Sequence, residues 1–359
     1  MRIFITGICG FVGSWLAQAI KDTPKTQVFG IDNLFRPGSE INRGILLSKG
    51  IGVFHGDVRL WADLENLPPS DWVIDAAANP SVLAGIDGLS TSRQLVENNL
   101  IGTLNVLEYC KRHKAGFILL STSRVYSLAS LAVLPIRIAG NSFALDLAKP
   151  LPPGLSEAGI GEDFSVAAPV SLYGSTKLAS EIMALEYGAT FGFPVWVNRC
   201  GVLAGAGQFA TADQGIFSYW MHAHAARRPL RYIGFGGFGY QVRDALHPAD
   251  LAQLLMLQMV AAPTGGDRVY NAGGGAKNSM SLAQLTAVCN DIFGDHVPIA
   301  DCGDRPFDLP WIVMNSGKIR HQFGWEPTRT ITSILHEIAQ HVRDHPGWLD
   351  LCATSANER

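Results

Sequence analysis

The first thirteen residues, MRIFITGICGFVG, constrain the fold of this chain more than any other stretch. Apolar Ile3, Phe4 and Ile5 within residues 2–6 suit a buried parallel strand. Gly7, Gly10 and Gly13 follow at three-residue spacing, and residues 11–20 read as an apolar-rich helix. Gly7 supplies the backbone angles of a tight turn, Gly10 lets the main chain approach a pyrophosphate, and Gly13 lets the helix pack close to the strand. The helix N-terminus then offers unpaired N–H groups and a positive dipole end. Nineteen residues past Gly13, the apolar run 28–31 ends at Asp32, where an acid binds the adenosine ribose hydroxyls. An anion there repels a 2′-phosphate, so the expected dinucleotide is NAD rather than NADP.

Strand and helix patterns alternate along the 359 residues, as a doubly wound parallel sheet requires. Strands are expected at 2–6, 27–31, 52–54, 72–77, 116–121 and 195–199, with helices near 11–21, 92–113 and 173–191. Residues 127–170 are rich in Pro, Ala and Leu without a clear period, so they are either functional or a covering insertion. Beyond 200 the pattern loosens. Helices are expected at 214–227, 248–261, 281–293 and 330–344, and the last dozen residues are expected to fray. This gives an NAD-binding domain of 1–199 with 229–262, a smaller lobe of 200–228 with 263–346, and a tail of 347–359.

Composition excludes several classes. Hydrophobic residues make up 47% and charged residues 16%, which describes a globular chain with a large core. A net charge of −3 argues against a general nucleic-acid binder. No apolar run is long enough to span a bilayer, and a strand starting at residue 2 leaves no space for a signal peptide, so no membrane partner and a cytoplasmic location are expected. The six cysteines include no C-x-x-C pair and read as reduced thiols. His222 and His224 suggest a metal pair, but positions two apart on a helix face different directions, so no metal is expected. The run GFGGFG at 234–239 lacks a following helix start and reads as a turn presenting a substrate-binding strand.

Tyr173 and Lys177 form Y-x-x-x-K after the fifth strand and at the opening of a helix. Positions four apart share a helix face, so both side chains can address one substrate. A free tyrosine has a pKa of about 10, too high for a base at neutral pH. A neighbouring ammonium and a positive nicotinamide ring would both favour phenolate. Ser121-Thr122-Ser123 ends the strand GFILL, and the carboxyl ends of parallel strands are where ligands bind. A hydroxyl there can bond a sugar hydroxyl and pass its proton toward Tyr173.

The chain resembles the extended short-chain dehydrogenase/reductase superfamily, in particular the members that act on nucleotide sugars. The patterns T-G-x-x-G-F-x-G, N-x-x-G-T, S-[ST]-x-x-V-Y, Y-x-x-x-K and R-D-[FVA]-[LI]-H-x-x-D stand here at 6–13, 99–103, 121–126, 173–177 and 243–250. The resemblance implies an α/β fold: a Rossmann-type doubly wound sheet with a smaller α/β substrate-binding lobe. It implies Thr122, Tyr173 and Lys177 as the catalytic set. NAD contacts are expected from Gly7, Cys9, Gly10, Phe11, Val12, Gly13, Asp32, Asn33, Asp57, Val58, Ala76, Ala77, Ala78, Asn99, Ser121, Tyr173, Lys177 and Cys200, with Asp57 at the adenine edge. For Cys200 packing is favoured over any nucleophilic role. Substrate contacts are expected from Thr122, Ser123, Arg124, Gln208, Phe209, Arg243 and Arg305, the last two on a diphosphate and ribose.

Dehydratases of this group carry Asp-Glu after the threonine, whereas this chain has Ser123-Arg124, and decarboxylases usually carry Glu at the second place. The runs QFATADQG (208–215), QVRDALHPADL (241–251) and NAGGGAKNSMSLAQL (271–285) are similar to 2-epimerases of CDP-linked 3,6-dideoxyhexoses. The expected function is therefore epimerisation of a nucleotide sugar with retained NAD. A 4-epimerase, an NAD-linked reductase, and a non-enzymatic NAD-sensing or RNA-binding protein of the same fold remain as alternatives. Three departures stand out: Asp75 where His is usual, Ser127 where Gly is usual, and the 127–170 segment. In related enzymes helices equivalent to 92–113 and 173–191 pair across a two-fold axis. Here they carry Leu95, Leu100, Leu104, Leu107, Ile182, Met183 and Leu185, and a homodimer or homotetramer is expected.

Overall fold

Ile3 and Ile5 point to one side of the first strand and Phe4 to the other, and each side is covered by helices. The computed structural model describes residues 1–86, 88, 91–261, 266–303 and 305–353. Its main sheet contains β1 (Arg2–Thr6), β2 (Gln27–Asp32), β3 (Gly52–His55), β4 (Trp72–Asp75), β5 (Gly116–Thr122), β6 (Val195–Cys200) and, after a strand of the second lobe, β8 (Val269–Ala272). All seven are parallel, in the order β8-β6-β5-β4-β1-β2-β3. The order reverses between β1 and β4, which opens a crevice at their carboxyl ends. On the Ile3 face, α1 (Phe11–Lys21) packs through Leu16, Ala17 and Ile20 against Leu251, Leu254 and Leu255 of α5 (Pro248–Val260). On the Phe4 face lie α2 (Gly102–His113) and α3 (Ser171–Phe191), with Val106, Leu107 and Ala184 in the core.

The expected strands and the helix at 11–21 are present; strand 72–77 stops at Asp75. The expected helix 92–113 is interrupted. A short helix, Ser92–Val96, runs through a wide π turn, Glu97–Ile101, into α2. The turn aims Asn99 inward and leaves Val96 and Ile101 exposed. Leu95 and Leu107, expected on an outer face, are therefore buried in the core.

The second lobe is built on β7 (Val242–Leu246), which pairs with 202–203, 279–281 and 311–312. Beside it, 231–233 pairs with 299–301, and the turn at Phe235–Gly237 leads toward β7. Helix α4 (Ile216–Ala225), helix Leu282–Phe293 and α6 (Ile331–Asp344) close over an apolar core of Phe217, Trp220, Leu285 and Leu335. These pairings revise the expected division. Strands 231–233 and 242–246 belong to the second lobe rather than to the NAD domain, and β8 belongs to the main sheet rather than to the second lobe. The expected boundary at 262/263 lies outside the described residues. Segment 127–170 forms two small hairpins, 136–145 and 155–160, whose Leu145, Leu155 and Ile160 pack on Leu309–Met314 of the second lobe.

The expected frayed tail is also corrected. Residues Trp348–Ala353 form α7, with Trp348 stacked on Phe209 at 5.5 Å and donating from Nε1 to the Gln208 carbonyl at 2.8 Å. The final residues, 354–359, lie outside the described residues. Among the described residues, no helix is long and apolar enough to cross a membrane.

His222 and His224 turn out to serve packing. His224 bonds Asn290 at 2.8 Å, while His222 Nε2 meets His341 Nδ1 at 3.2 Å, joining α4 to α6. Burial first, then the neighbouring histidines, holds His222 and His341 each at about 4, below the ordinary 6.5. The unfolded chain therefore binds more protons between these values. The stabilisation is complete above about 6.5 and is lost as pH falls toward about 4. The melting midpoint of the wild type should fall across this window, and His222→Gln with His341→Asn should flatten that fall.

Candidate active site

The glycine turn meets β4 at the crevice. Gly7 has φ +61°, and a Cβ on it would lie 2.9 Å from the Ala77 Cα; one on Gly13 would lie 2.2 Å from the Gly7 carbonyl oxygen. Only residues without side chains permit that approach. Gly10 caps α1 without a side-chain hydrogen bond, and the first turn carries no acid, which leaves its N–H groups facing the crevice. Thr6 Oγ1 accepts from the N–H groups of Ala76 and Ala77 at 3.0 Å each, fixing the 76–78 loop opposite. Asp32 Oδ2 accepts from Cys9 N–H and Oδ1 from Leu34 N–H, both at 2.9 Å. Burial raises its carboxyl, and these N–H groups act against the rise. Asn33 donates to Asp57 at 3.1 Å, and Arg59 pairs with Asp57 at 2.6 Å. Burial opposes ionisation of Asp57, but the hydrogen bonds from Arg59 and Asn33 outweigh it and hold the carboxyl below its ordinary range. Val58 packs where a Cβ on Gly102 would stand, 2.8 Å from its Cγ2, which seats α2 against this loop.

Three of the expected NAD contacts have other surroundings. The side chain of Asn99 is buried: its amide donates to Asn79 O at 3.1 Å and Thr176 Oγ1 at 3.2 Å, and its Oδ1 accepts from Asn79 N–H at 2.8 Å. It supports the 76–80 loop instead of facing the crevice. The Phe11 ring packs into a cluster with Phe209, Trp348 and Cys352, so only its backbone faces the turn. Ser121 donates to Glu181 beneath the site.

Thr122, at the carboxyl end of β5, lies beside Tyr173 of α3, and Lys177 follows one turn later; all three are buried. Burial pushes Tyr173 up to about 12, with hydrogen bonding to Thr122 and the charge of Arg124 acting the other way. The sequence leads one to expect Lys177 to favour phenolate, yet in the chain by itself the cation acting on the phenol is Arg124. Burial likewise lowers Lys177, with Asp75, Glu181 and Cys200 opposing. Cys200 is pushed up to about 12 by burial and stays a thiol, as does Cys9, also at about 12.

Below these residues runs a buried polar network. Arg199 Nε bonds both Glu181 oxygens at 3.1 Å and its Nη2 reaches Oε2 at 2.8 Å, with side chains only 8% and 3% exposed. Arg199 Nη1 donates to Tyr126 OH at 3.4 Å and to Glu162 O at 3.3 Å. Tyr126 OH donates to Asn271 Oδ1 at 2.7 Å, and Asn271 donates to Ile160 O at 2.8 Å. Neither Glu181 nor Arg199 was picked out from the sequence. The available signal was Glu181 itself, a carboxylate four residues past Lys177 on the same helix face.

At Arg124, whose charge acts on Tyr173, opens a cavity of about 310 Å³ between the two lobes, lined by Arg124, Arg231, Arg243, Arg305, Asp213 and Asp308 among others. Arg243 Nη2 donates to Asp308 Oδ1 at 3.1 Å, Arg305 pairs with Asp213 at 3.0 Å, and Arg124 Nη1 donates to Phe307 O at 3.0 Å. Burial and the charge of Arg243 lower Arg124 to about 10. Ser123 is buried next to it. Gln208 and Phe209, expected on the substrate, do not line this cavity. Gln208 Nε2 donates to Leu203 O, and Phe209 lies in the core with Trp348, because the run 208–215 reaches the cavity only from Ala212 onward. Asp213 and Asp308 were missed; each sits within a run that already contained an expected contact.

A Rossmann-type sheet with a glycine turn, a buried Tyr/Lys helix and a cationic cavity beside it defines a dinucleotide-dependent enzyme. The sequence pattern of the NAD dependent epimerase/dehydratase family matches residues 3–273, and the chain belongs to that family. It is similar to CDP-paratose 2-epimerase of Salmonella typhi, with 29% identity covering 91% of this chain and 95% of that protein. It is also similar to dTDP-glucose 4,6-dehydratase of Streptomyces niveus, with 25% identity covering 97% and 94%. In fold it is similar to UDP-glucuronic acid 4-epimerase from Bacillus cereus, solved with UDP-glucuronic acid and NAD, at a TM-score of 0.76 and 24% identity over 96% and 99% of the two chains. NAD is the cofactor of this family, and the glycine cradle and the uncapped N-terminus of α1 fit it.

Removing one member of a buried ion pair leaves a desolvated charge and costs about 3–5 kcal/mol. Arg199→Met should lower unfolding free energy in urea by roughly that amount, and Glu181→Leu added to it should recover part of the loss.

Proposed function

We propose that this chain is an epimerase of a nucleotide-activated sugar that retains NAD, acting at C2 of a CDP-linked 3,6-dideoxyhexose. The observation that carries this reading is the convergence of Arg124, Arg243 and Arg305 in one cavity, with Arg124 also acting on Tyr173. Arg231 lines the same cavity, and four guanidiniums against the carboxylates of Asp213 and Asp308 suit a substrate bearing a diphosphate, which planar forks bind bidentately. Ser123 and Arg124 follow Thr122, so the acid and base that a dehydratase uses are not present at that place. The similarity to CDP-paratose 2-epimerase supports the choice of C2.

Gly7, Gly10, Gly13, Asp32 and the 76–78 loop would hold NAD, which when bound supplies a hydride acceptor and donor at the sugar carbon. Tyr173 would take the proton of the reacting hydroxyl, with Thr122 relaying it and Lys177 stabilising the phenolate. Because burial holds Tyr173 at about 12 even against Thr122 and Arg124, the phenol depends on further positive charge brought to it. Arg243 and Arg305 would exchange Asp308 and Asp213 for the diphosphate, while Arg124 spans the distance between that group and Tyr173. Burial of Thr122, Tyr173 and Lys177 keeps bulk water from the reacting carbon.

Denaturing the purified protein should release NAD, and a screen of CDP-, UDP- and GDP-sugars should give product only with the CDP-3,6-dideoxyhexose. Tyr173→Phe should keep NAD bound while turnover falls by about two or more orders of magnitude. Product formed in heavy water should carry no solvent deuterium at C2; deuterium there would mean that a carbon-bound proton is abstracted, and the reading would fail.

Self-association belongs to the same reading. The exposed Val96, Ile101, Leu172 and Ile182 form the apolar outer side of the 92–113 and 171–191 helices. Sedimentation should show a dimer or tetramer at micromolar concentration, and Ile182→Glu should shift it toward monomer.

A further inference from the structure

Gln241, the residue before β7, lines the cavity between the lobes and carries a buried oxygen that meets no donor. Its Nε2 donates to Ile233 O at 2.8 Å and to Asp308 Oδ2 at 3.1 Å. These two acceptors fix the amide, because turning it over would set its oxygen against a carbonyl and a carboxylate. Oε1 is therefore the end left over, out of water and without a partner. A buried acceptor in that state costs stability, and a ligand that brings a donor recovers it. Among the described residues that line this cavity, no other side chain has such an atom.

The surroundings decide which donor fits. Ile233 O and the Asp308 carboxylate, bonded to the same amide, are acceptors too, and Asp308 Oδ1 is held by Arg243 Nη2 at 3.1 Å. Phe217, Leu230 and Leu285 give the same cavity an apolar wall. A flat heterocycle with an amine on its edge suits this combination, its ring on the apolar wall and its amine toward the acceptors.

We propose that Gln241 determines specificity for the base of the substrate, its Oε1 accepting from the 4-amino group of cytosine. The proposal rests on the reading of this cavity as the site of a nucleotide-activated sugar whose diphosphate meets the arginines. In cytosine the amine on C4 has no oxygen on either adjoining ring atom. Uracil and thymine carry a carbonyl at C4, which would stand oxygen to oxygen against Gln241. Their N3–H could donate instead, but it is flanked by two carbonyls that would face Ile233 O and Asp308. The amide that ties strand 231–233 to Asp308 thus also sorts the base. A site that leaves its own buried acceptor unpaired rejects a ligand lacking the donor more strongly than an apolar pocket does.

Titration calorimetry of the purified protein with NAD present, using CDP and UDP, reads the base alone, since the two share ribose and diphosphate. The wild type should bind CDP about tenfold or more tighter than UDP. Gln241→Lys keeps a donor for Ile233 O and Asp308 but has no acceptor, and it should bring the two affinities within about threefold of each other. Its added charge strengthens both diphosphates alike, so the ratio is unaffected by it. Equal affinities in the wild type, a preference for UDP, or a preference for CDP that survives in the variant would overturn the proposal. If Gln241→Lys does not fold, Gln241→Met replaces it, and the wild type is also titrated with the diphosphate of pyrimidin-2-one riboside, whose C4 bears only hydrogen. That ligand should bind about as weakly as UDP. Binding as tight as that of CDP would mean that the amine meets no acceptor, and the idea would be lost. A preference for CDP that the substitution removes, in a chain that epimerises no CDP-sugar, leaves the base contact standing and defeats only the reading of the reaction. Epimerisation of a CDP-sugar with a preference the substitution leaves intact does the reverse.

Discussion

Glu181 and Arg199 meet almost out of water at the point where five pieces of chain converge, and the geometry of the site depends on that contact. The pair joins α3, which carries Tyr173 and Lys177, to the carboxyl end of β6. Through Ser121 it reaches β5, and through Tyr126 and Asn271 it reaches β8 and the 160–162 segment. An apolar contact would tolerate sliding of α3 along the sheet. A guanidinium fork matched to two carboxylate oxygens does not, because a shift of an ångström breaks two charge-assisted bonds in a medium that cannot replace them. The directional pair thus sets where Tyr173 stands relative to Thr122.

Charge in the site is graded by access to water. At the dry end Lys177 lies among Asp75, Glu181 and Cys200, where a single unmatched charge would be costly. At the other end four arginines line a cavity with two carboxylates, and burial first, then the charges of Arg243 and Arg305, lower Arg124. An anionic ligand would relieve the excess positive charge there. Arg124 stands between the two regimes, acting on Tyr173 from one side and held by Phe307 of the 305–308 loop on the other. This links the loop that carries Arg305 directly to the strand end that carries Thr122.

Much of this was legible from local pattern. The turn at Gly7–Gly13, the strands of the main sheet and the Tyr173–Lys177 pair are specified within a few residues, by steric need, by period and by spacing along a helix. Where the reading failed, the deciding contact lay far away in sequence. Helix Trp348–Ala353 looked like a fraying end because its partner Phe209 is more than a hundred residues earlier. Asn99 looked like a cofactor contact until a π turn, which no periodicity announces, pointed it at Asn79 and Thr176. Strand β8 was assigned to the wrong lobe because a four-residue strand carries no mark of the sheet it joins.

The sequence by itself determined the class of fold, the dinucleotide turn and the Tyr173–Lys177 spacing on one helix, because each rests on the shape or chemistry of neighbouring residues. Tertiary structure alone decided which charges face one another. Asp75 reads in sequence as an anomaly at the end of a strand. Only the packing of β4 against β1 and α2 brings the hydroxyls of Thr6 and Thr103 onto its two oxygens. Likewise Arg124, Arg243 and Arg305 stand 62 to 181 positions apart, and nothing short of the closed two-lobed fold brings them into one cavity. Electrostatics acts through space and depends on burial, and neither is written in the order of residues.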